Sequence, residues 1–184
     1  MRIVVVYESS YGNTHLIADA VAEGLRAGND VDVVPVSEAS QELITNADLV
    51  VVGGPTHVHG MSRERTRQAA AEAAHKPGSG LTLDLDAAGP GLRDWFASLR
   101  PVKTNAAAFD TRIDAPAVIT GRASKGISRQ LRHHGFREIV EPRSFLVTKD
   151  SHLASGQQTN ARQWGEQLAG ALAREGALGR NQES

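Results

Sequence analysis

Ser9, Ser10, Tyr11, Gly12, Asn13 and Thr14 follow an apolar run, Ile3-Val4-Val5-Val6, and lead directly into a helical pattern. Hydroxyls and a glycine at a strand-to-helix junction suit one chemistry above others, the holding of a phosphate. A helix start presents unpaired backbone N–H groups and the positive end of its dipole. Ser9, Ser10 and Thr14 add hydroxyl donors, and Gly12 allows close backbone approach. No Lys or Arg lies between Tyr7 and Thr14, so neutral dipoles alone would carry the charge. The string is neither G-x-x-x-x-G-K-[ST] nor, after this strand, G-x-G-x-x-G. The plainer alternative is a capped strand-to-helix turn without a ligand; the loop described next tips the balance toward phosphate.

That second loop is Gly53-Gly54-Pro55-Thr56-His57-Val58-His59-Gly60-Met61, after the apolar run Leu49–Gly54. His57-x-His59 could ligate a metal, but cysteine is absent and no third ligand has a recognisable spacing. A proton donor titrating near neutrality fits better, and a polar surface loop fits as well. Third comes Asp110-Thr111-Arg112-Ile113-Asp114, after Ala106–Phe109. Arg112 could meet negative charge on a ligand, but pairing with Asp110 or Asp114 is the preferred reading. Residues 122–137 carry Arg122, Lys125, Arg129, Arg132 and Arg137 and no acid. A solvated helix face is the default there; an acidic partner, or a second anion held near the N-cap candidate Ser124, is the alternative.

Positioning these loops requires alternating strands and helices. Strands are expected at Arg2–Tyr7, Val31–Val36, Leu49–Gly54, Ala106–Phe109 (extending toward Ile113) and Glu138–Val147, with the last interrupted at Pro142. Helices are expected at Leu16–Leu25, Arg63–Ala74, Lys125–His134 and Ala161–Ala173, and Pro116–Thr120 reads as extended. Such alternation implies right-handed crossovers and a parallel sheet covered on both faces, in the order 2-1-3-4-5. In that order the helices after strands 1 and 3 leave on opposite sides, and the crevice beyond their carboxyl ends is the ligand position. Residues 75–103 exceed a minimal design. Their short helical pattern at Leu92–Leu99 is read as extra cover for the sheet rather than an insertion at the site.

The length of 184 residues fits one domain, expected over 1–174 with a frayed tail at 175–184. Twenty basic residues balance 21 acidic ones, for a net charge of −1, which argues for neither nucleic acid nor membrane as partner. Without cysteine there are no disulfides or thiolate sites. No signal-like start or membrane-length apolar run is present, so a cytoplasmic protein is the expectation.

Ser9, Gly12 and Thr14 resemble the flavodoxin phosphate loop, [ST]-x-[ST]-G-x-T, although Tyr11 replaces the usual small hydroxyl residue. Tyr11-Gly12 and Pro55-Thr56 with the later Gly60 are closer to flavodoxin-like quinone reductases. The resemblance implies an α/β three-layer sandwich with a five-stranded parallel sheet, and FMN as cofactor. Flavodoxin is itself the standard example of the 2-1-3-4-5 order with FMN beyond strands 1 and 3, so the position of FMN is implied by the resemblance alone. Ser9, Ser10, Tyr11, Gly12, Asn13 and Thr14 would then serve the phosphate, and Pro55, Thr56, His57, Val58, His59 and Gly60 the ring. Asp110, Thr111 and Arg112 would line its edge. Neither ring-covering loop has the Trp or Tyr found in typical flavodoxins, which implies FMN binding weaker by about tenfold. His57, His59 and Arg112 near the ring, at a net charge of −1, imply a higher hydroquinone potential than in an acidic carrier. The resemblance implies electron transfer with a redox partner protein. The alternatives are an NAD(P)H-dependent quinone-type reductase and a flavin-free interaction module that keeps the fold.

Overall fold

A computed structural model describes residues 1–57 and 60–182 of the chain, the last five of these by backbone alone. Strand β1 (Arg2–Tyr7) is the hub, flanked in parallel by β2 (Asp30–Pro35) and β3 (Leu49–His57). A two-residue β4 (Gly60–Met61) folds back antiparallel on β3. On the other side of β3 from β1 lies β5 (Asn105–Ile113), parallel to it. The strand expected over 138–147 is two strands, β6 (Arg137–Glu138) and β7 (Arg143–Val147), both parallel to β5 on its far side. Pro142 separates them because it has no N–H to give the ladder. The sheet therefore has seven strands rather than five, while the expected spatial order survives as β2-β1-β3-β5 followed by β6 and β7.

Side chains alternate across this sheet as strand geometry demands. Ile3, Val5, Leu49, Val51, Ala107 and Phe109 face helices α1 (Asn13–Leu25) and α7 (Gln157–Gln182). Val4, Val6, Val50, Val52, Ala106 and Ala108 face the opposite layer. That layer is built from α2 (Gln41–Thr45), α4 (Leu92–Ser98) and α6 (Ala123–His133), with α3 (Glu64–Ala74) following β4. The two apolar layers are the three-layer sandwich that β-α alternation requires. Trp164, Leu168 and Leu172 are buried on α7, each contributing about 1.5–3 kcal/mol of apolar burial.

Two differences from expectation bear on the site. Residues 116–120 are not extended. Ala117–Thr120 form one helical turn, α5, in which the Thr120 and Ile119 amides donate to the Pro116 carbonyl. Gly121, at φ 73°, ends the turn. The closing helix is also longer than expected, starting at Gln157 and continuing to Gln182, so residues 175–182 are helical.

In α1 and α7 the backbones touch. A Cβ on Gly24 would lie 2.0 Å from the Arg162 carbonyl oxygen, and one on Gly165 would lie 2.2 Å from that of Val21. Helix crossings this close need residues without side chains.

Candidate functional site

The carboxyl ends of β1, β3 and β5 meet the start of α1. Gly12 takes φ 84°, a left-handed conformation open to glycine at little cost. Its carbonyl accepts the first helical bond, from the Leu16 amide at 2.9 Å. The amides ahead of Leu16 belong to the helix start and have no intrahelical acceptor. Ser9 Oγ accepts from the Gly12 amide at 3.0 Å and closes the loop on itself. Thr14 and Thr111 share a buried hydroxyl pair at 2.8 Å, which ties the phosphate loop to the end of β5. Two hydroxyls joined by one bond keep one proton to donate elsewhere. Asn13 Nδ2 donates to the Ser151 carbonyl at 2.7 Å.

The second loop reaches the first. Ser10 Oγ and His57 Nε2 stand 3.4 Å apart. Burial holds the His57 imidazole below its ordinary value near 6.5, and the Glu8 charge opposes this only in part. The folded chain then binds fewer protons at His57 than the unfolded chain just below pH 6.5. Stability accordingly falls on acidification through that window, and the fall ends once the folded imidazole accepts its proton. Replacing His57 with Gln is expected to flatten the stability profile between about pH 7 and 5. Denaturant titrations at stepped pH check this; profiles of equal slope would contradict it.

Several expected ligand groups serve the fold here. Tyr11 turns toward α3, its hydroxyl donating to the Ala70 carbonyl at 3.0 Å. Thr56 Oγ1 donates to Asp110 Oδ2 at 3.0 Å and accepts from the Ala123 amide at 2.9 Å. Asp110, fully buried, also accepts from the Ser124 amide at 2.8 Å. Thr56 and Asp110 accept the first two amides of α6, so the N-cap role expected of Ser124 is filled from β3 and β5. Arg112 pairs with neither Asp110 nor Asp114 among the described residues. Its guanidinium donates to the Ala115 and Ile113 carbonyls and to Thr120 Oγ1. Pro55 pairs with Thr111 in the ladder and Gly60 with His57. Val58 and His59 lie outside the described residues.

Four further side chains stand at this end of the sheet: Glu8 and Tyr7, which open the phosphate-loop string in the sequence, and Asp84 and Asp86, which belong to no motif. Glu8, 7 % exposed, accepts from Ser62 Oγ and, at 2.8 Å, from the Leu92 amide that starts α4. The other three come together through the 75–103 segment. Its second half, α4, is cover for the sheet, with Trp95 and Phe96 in the core. Its first half instead crosses the phosphate loop. The Asp84 amide donates to the Ser10 carbonyl at 2.9 Å, and the Tyr7 hydroxyl donates to Asp86 Oδ2 at 2.9 Å. Asp84 Oδ2 lies 4.0 Å from the position of a Cβ on Gly12 and 3.4 Å from His15 Nδ1. The one signal for this crossing is the polar alternation Leu81–Asp86, which sequence alone cannot bring to the loop.

The lining of the basic stretch is also defined. Lys125, Arg129, Arg132 and Arg137 border a groove of about 840 Å³ that Glu138 and Glu141 share. Arg132 pairs with Glu138 at 3.3 Å and Arg137 with Glu175, as on a solvated, internally balanced face.

The flavodoxin family profile matches residues 5–92, the stretch from β1 to the start of α4. A flavodoxin of Aquifex aeolicus (strain VF5) is 39 % identical over 59 residues, 31 % of this chain and 32 % of that protein. The matched stretch thus spans about a third of the curated relative's length. Among solved structures, a flavodoxin from the domain Archaea superposes with a TM-score of 0.63 at 19 % identity, covering 94 % of this chain and 99 % of the other. Flavodoxin 1 from Bacillus cereus gives 0.62 at 17 %, covering 95 % and 98 %. The profile match takes in just under half of the chain, and nearly the whole length takes the flavodoxin-like fold.

Proposed function

We propose that the chain binds FMN at the carboxyl ends of β1, β3 and β5 and acts as a redox protein. The reading is carried by the phosphate loop, opened by left-handed Gly12 at the start of α1 with Ser9, Ser10 and Thr14 around it. Amides from Asn13 onward and the hydroxyls of Ser10 and Thr14 would hold the phosphate. The ring would lie toward Pro55–Gly60, with Thr111 at its edge. Asp110 and Arg112, engaged with α6 and with carbonyls, would contribute backbone there. Bound flavin would supply the electron transfer, while this chain supplies position and electrostatics. Half-buried His57, disfavoured as a cation, would meet the ring as a neutral hydrogen-bonding imidazole rather than as a fixed positive charge.

The fit has one opposing feature. The Asp84 carboxylate sits beside Gly12, where it repels an incoming dianion unless it moves or is neutralised. The same observation supports a second reading, a flavin-free module that keeps the fold.

Absorption spectra of the purified chain, taken with added FMN and again after free flavin is removed, decide between the two. Retained flavin with shifted bands is expected, and Gly12→Val is expected to weaken retention at least about tenfold, because a β-branched residue resists positive φ. A chain that stays colourless with excess FMN overturns the first reading. With flavin loaded, electron delivery only through a partner reductase supports a carrier. Direct NADPH oxidation coupled to quinone reduction supports a reductase.

A further inference from the structure

We infer that His15, Asp84 and Asp86 form a binding site for one divalent transition-metal ion at the rim of the phosphate loop. One ligand atom from each residue lies within 4.8 Å of the others. The cluster does not rest on acidity alone. The Asp84 side chain is only 4 % exposed, and its Oδ2 accepts no hydrogen bond among the described residues. A buried carboxylate oxygen without a donor is costly and calls for a cation. His15 Nδ1 stands 3.4 Å from that oxygen. Two ligands on a tetrahedral ion with bonds near 2.1 Å are about 3.4 Å apart.

The surroundings orient these groups as ligands. The His15 ring stacks on Tyr7, with centroids 4.2 Å apart and planes inclined by 18°. Its other nitrogen, Nε2, faces Asp19 Oδ2 at 3.8 Å. With Nδ1 on the ion, the proton would sit on Nε2 facing Asp19, the carboxylate–histidine–metal arrangement. Asp86 is held by the Tyr7 hydroxyl. Asp84 is held through its amide on the Ser10 carbonyl. Both sides of the site are therefore fixed, one by the first turn of α1 and the other by the segment that crosses it.

One imidazole and two carboxylates suit zinc, manganese or ferrous iron better than magnesium, which prefers oxygen alone. Three protein ligands leave a coordination position open. The ion would also cancel the charge that Asp84 sets beside Gly12. The site is argued without reference to flavin and stands or falls separately from it.

The test uses the full chain, freed of metal and flavin, titrated calorimetrically with zinc and then magnesium. One zinc per chain is expected, with magnesium at least about tenfold weaker. Asp84→Asn and His15→Ala are expected to lose about a hundredfold or more in zinc affinity, and Asp19→Asn about tenfold. Thermal melts of the metal-free variants give an independent reading. Asp84→Asn removes a buried, unpartnered charge, so its midpoint is expected to hold or rise, and zinc is expected to raise the midpoint of the unsubstituted chain only. Absent zinc binding, or binding that Asp84→Asn and His15→Ala leave unchanged, overturns the site. A metal-free midpoint that drops in Asp84→Asn, with no zinc effect in either chain, assigns the cluster to a structural His15–Asp84 ion pair instead.

Discussion

Replacing Gly24 or Gly165 with alanine is expected to destabilise the chain by about 3 kcal/mol, near the upper end of overpacking costs. The added methyl would meet a main-chain carbonyl at 2.0 Å or 2.2 Å, and no rotamer change can relieve a backbone contact. Helices α1 and α7 would have to move apart, loosening Val21, Trp164 and Leu168 from their shared layer. Helix propensity acts in the opposite direction by about 1 kcal/mol and is outweighed. For a chain of this size the loss lowers the melting midpoint by about 6–12 °C. Gly170→Ala is the internal control. It also lies in α7, but among the described residues a Cβ there meets only Arg174 Nη1 at 3.8 Å, so propensity wins and a rise of up to about 1 kcal/mol is expected. Circular-dichroism melts of the three variants check the contrast; equal effects at all three positions would contradict the close crossing.

Truncating Glu8 is expected to cost a similar amount, about 3 kcal/mol, for a different reason. Glu8→Ala leaves the Ser62 hydroxyl and the Leu92 amide without their buried acceptor. Hydrogen bonds to a charged group contribute about 1.5–3 kcal/mol each, and unpaired buried donors add desolvation cost. Glu8→Gln keeps one acceptor oxygen and should lose about half as much. The carboxylate has a second effect, since its charge raises the proton affinity of His57 against the effect of burial. Both variants should therefore move the His57 titration further down, measured by NMR on the imidazole. Loss of stability with an unmoved His57 titration would separate the two roles and contradict their coupling.

The alternation of apolar runs makes the parallel sheet legible, because strands covered on both faces must be apolar on both. Leu49–Val52 could hardly be anything else. Gly12 is legible for a related reason, since few sequences place a hydroxyl-rich turn between such a strand and a helix. The roles of Thr56 and Asp110 are not. Their spacing matches a ligand loop equally well whether the side chains face a cofactor or the first turn of α6, and only the packing of α6 against β3 and β5 separates the two. Residues 81–91 are the least legible. Asp84 and Asp86 meet His15 across a long stretch of chain, and the backbone bond that seats them, Asp84 amide to Ser10 carbonyl, leaves no mark on either side chain. The 117–120 turn reads wrongly as extended because Val118 and Ile119 look like strand residues, while Pro116 and Gly121 punctuate a single helical turn instead.

The break at Pro142 divides the outer margin of the sheet into ladders of two and five residues. A long, flat margin of free amides is a template on which other chains can grow into fibrils. Here the template is cut short at a residue that has no amide to lend. Resistance to edge-to-edge self-association is thus built into the sheet at this border.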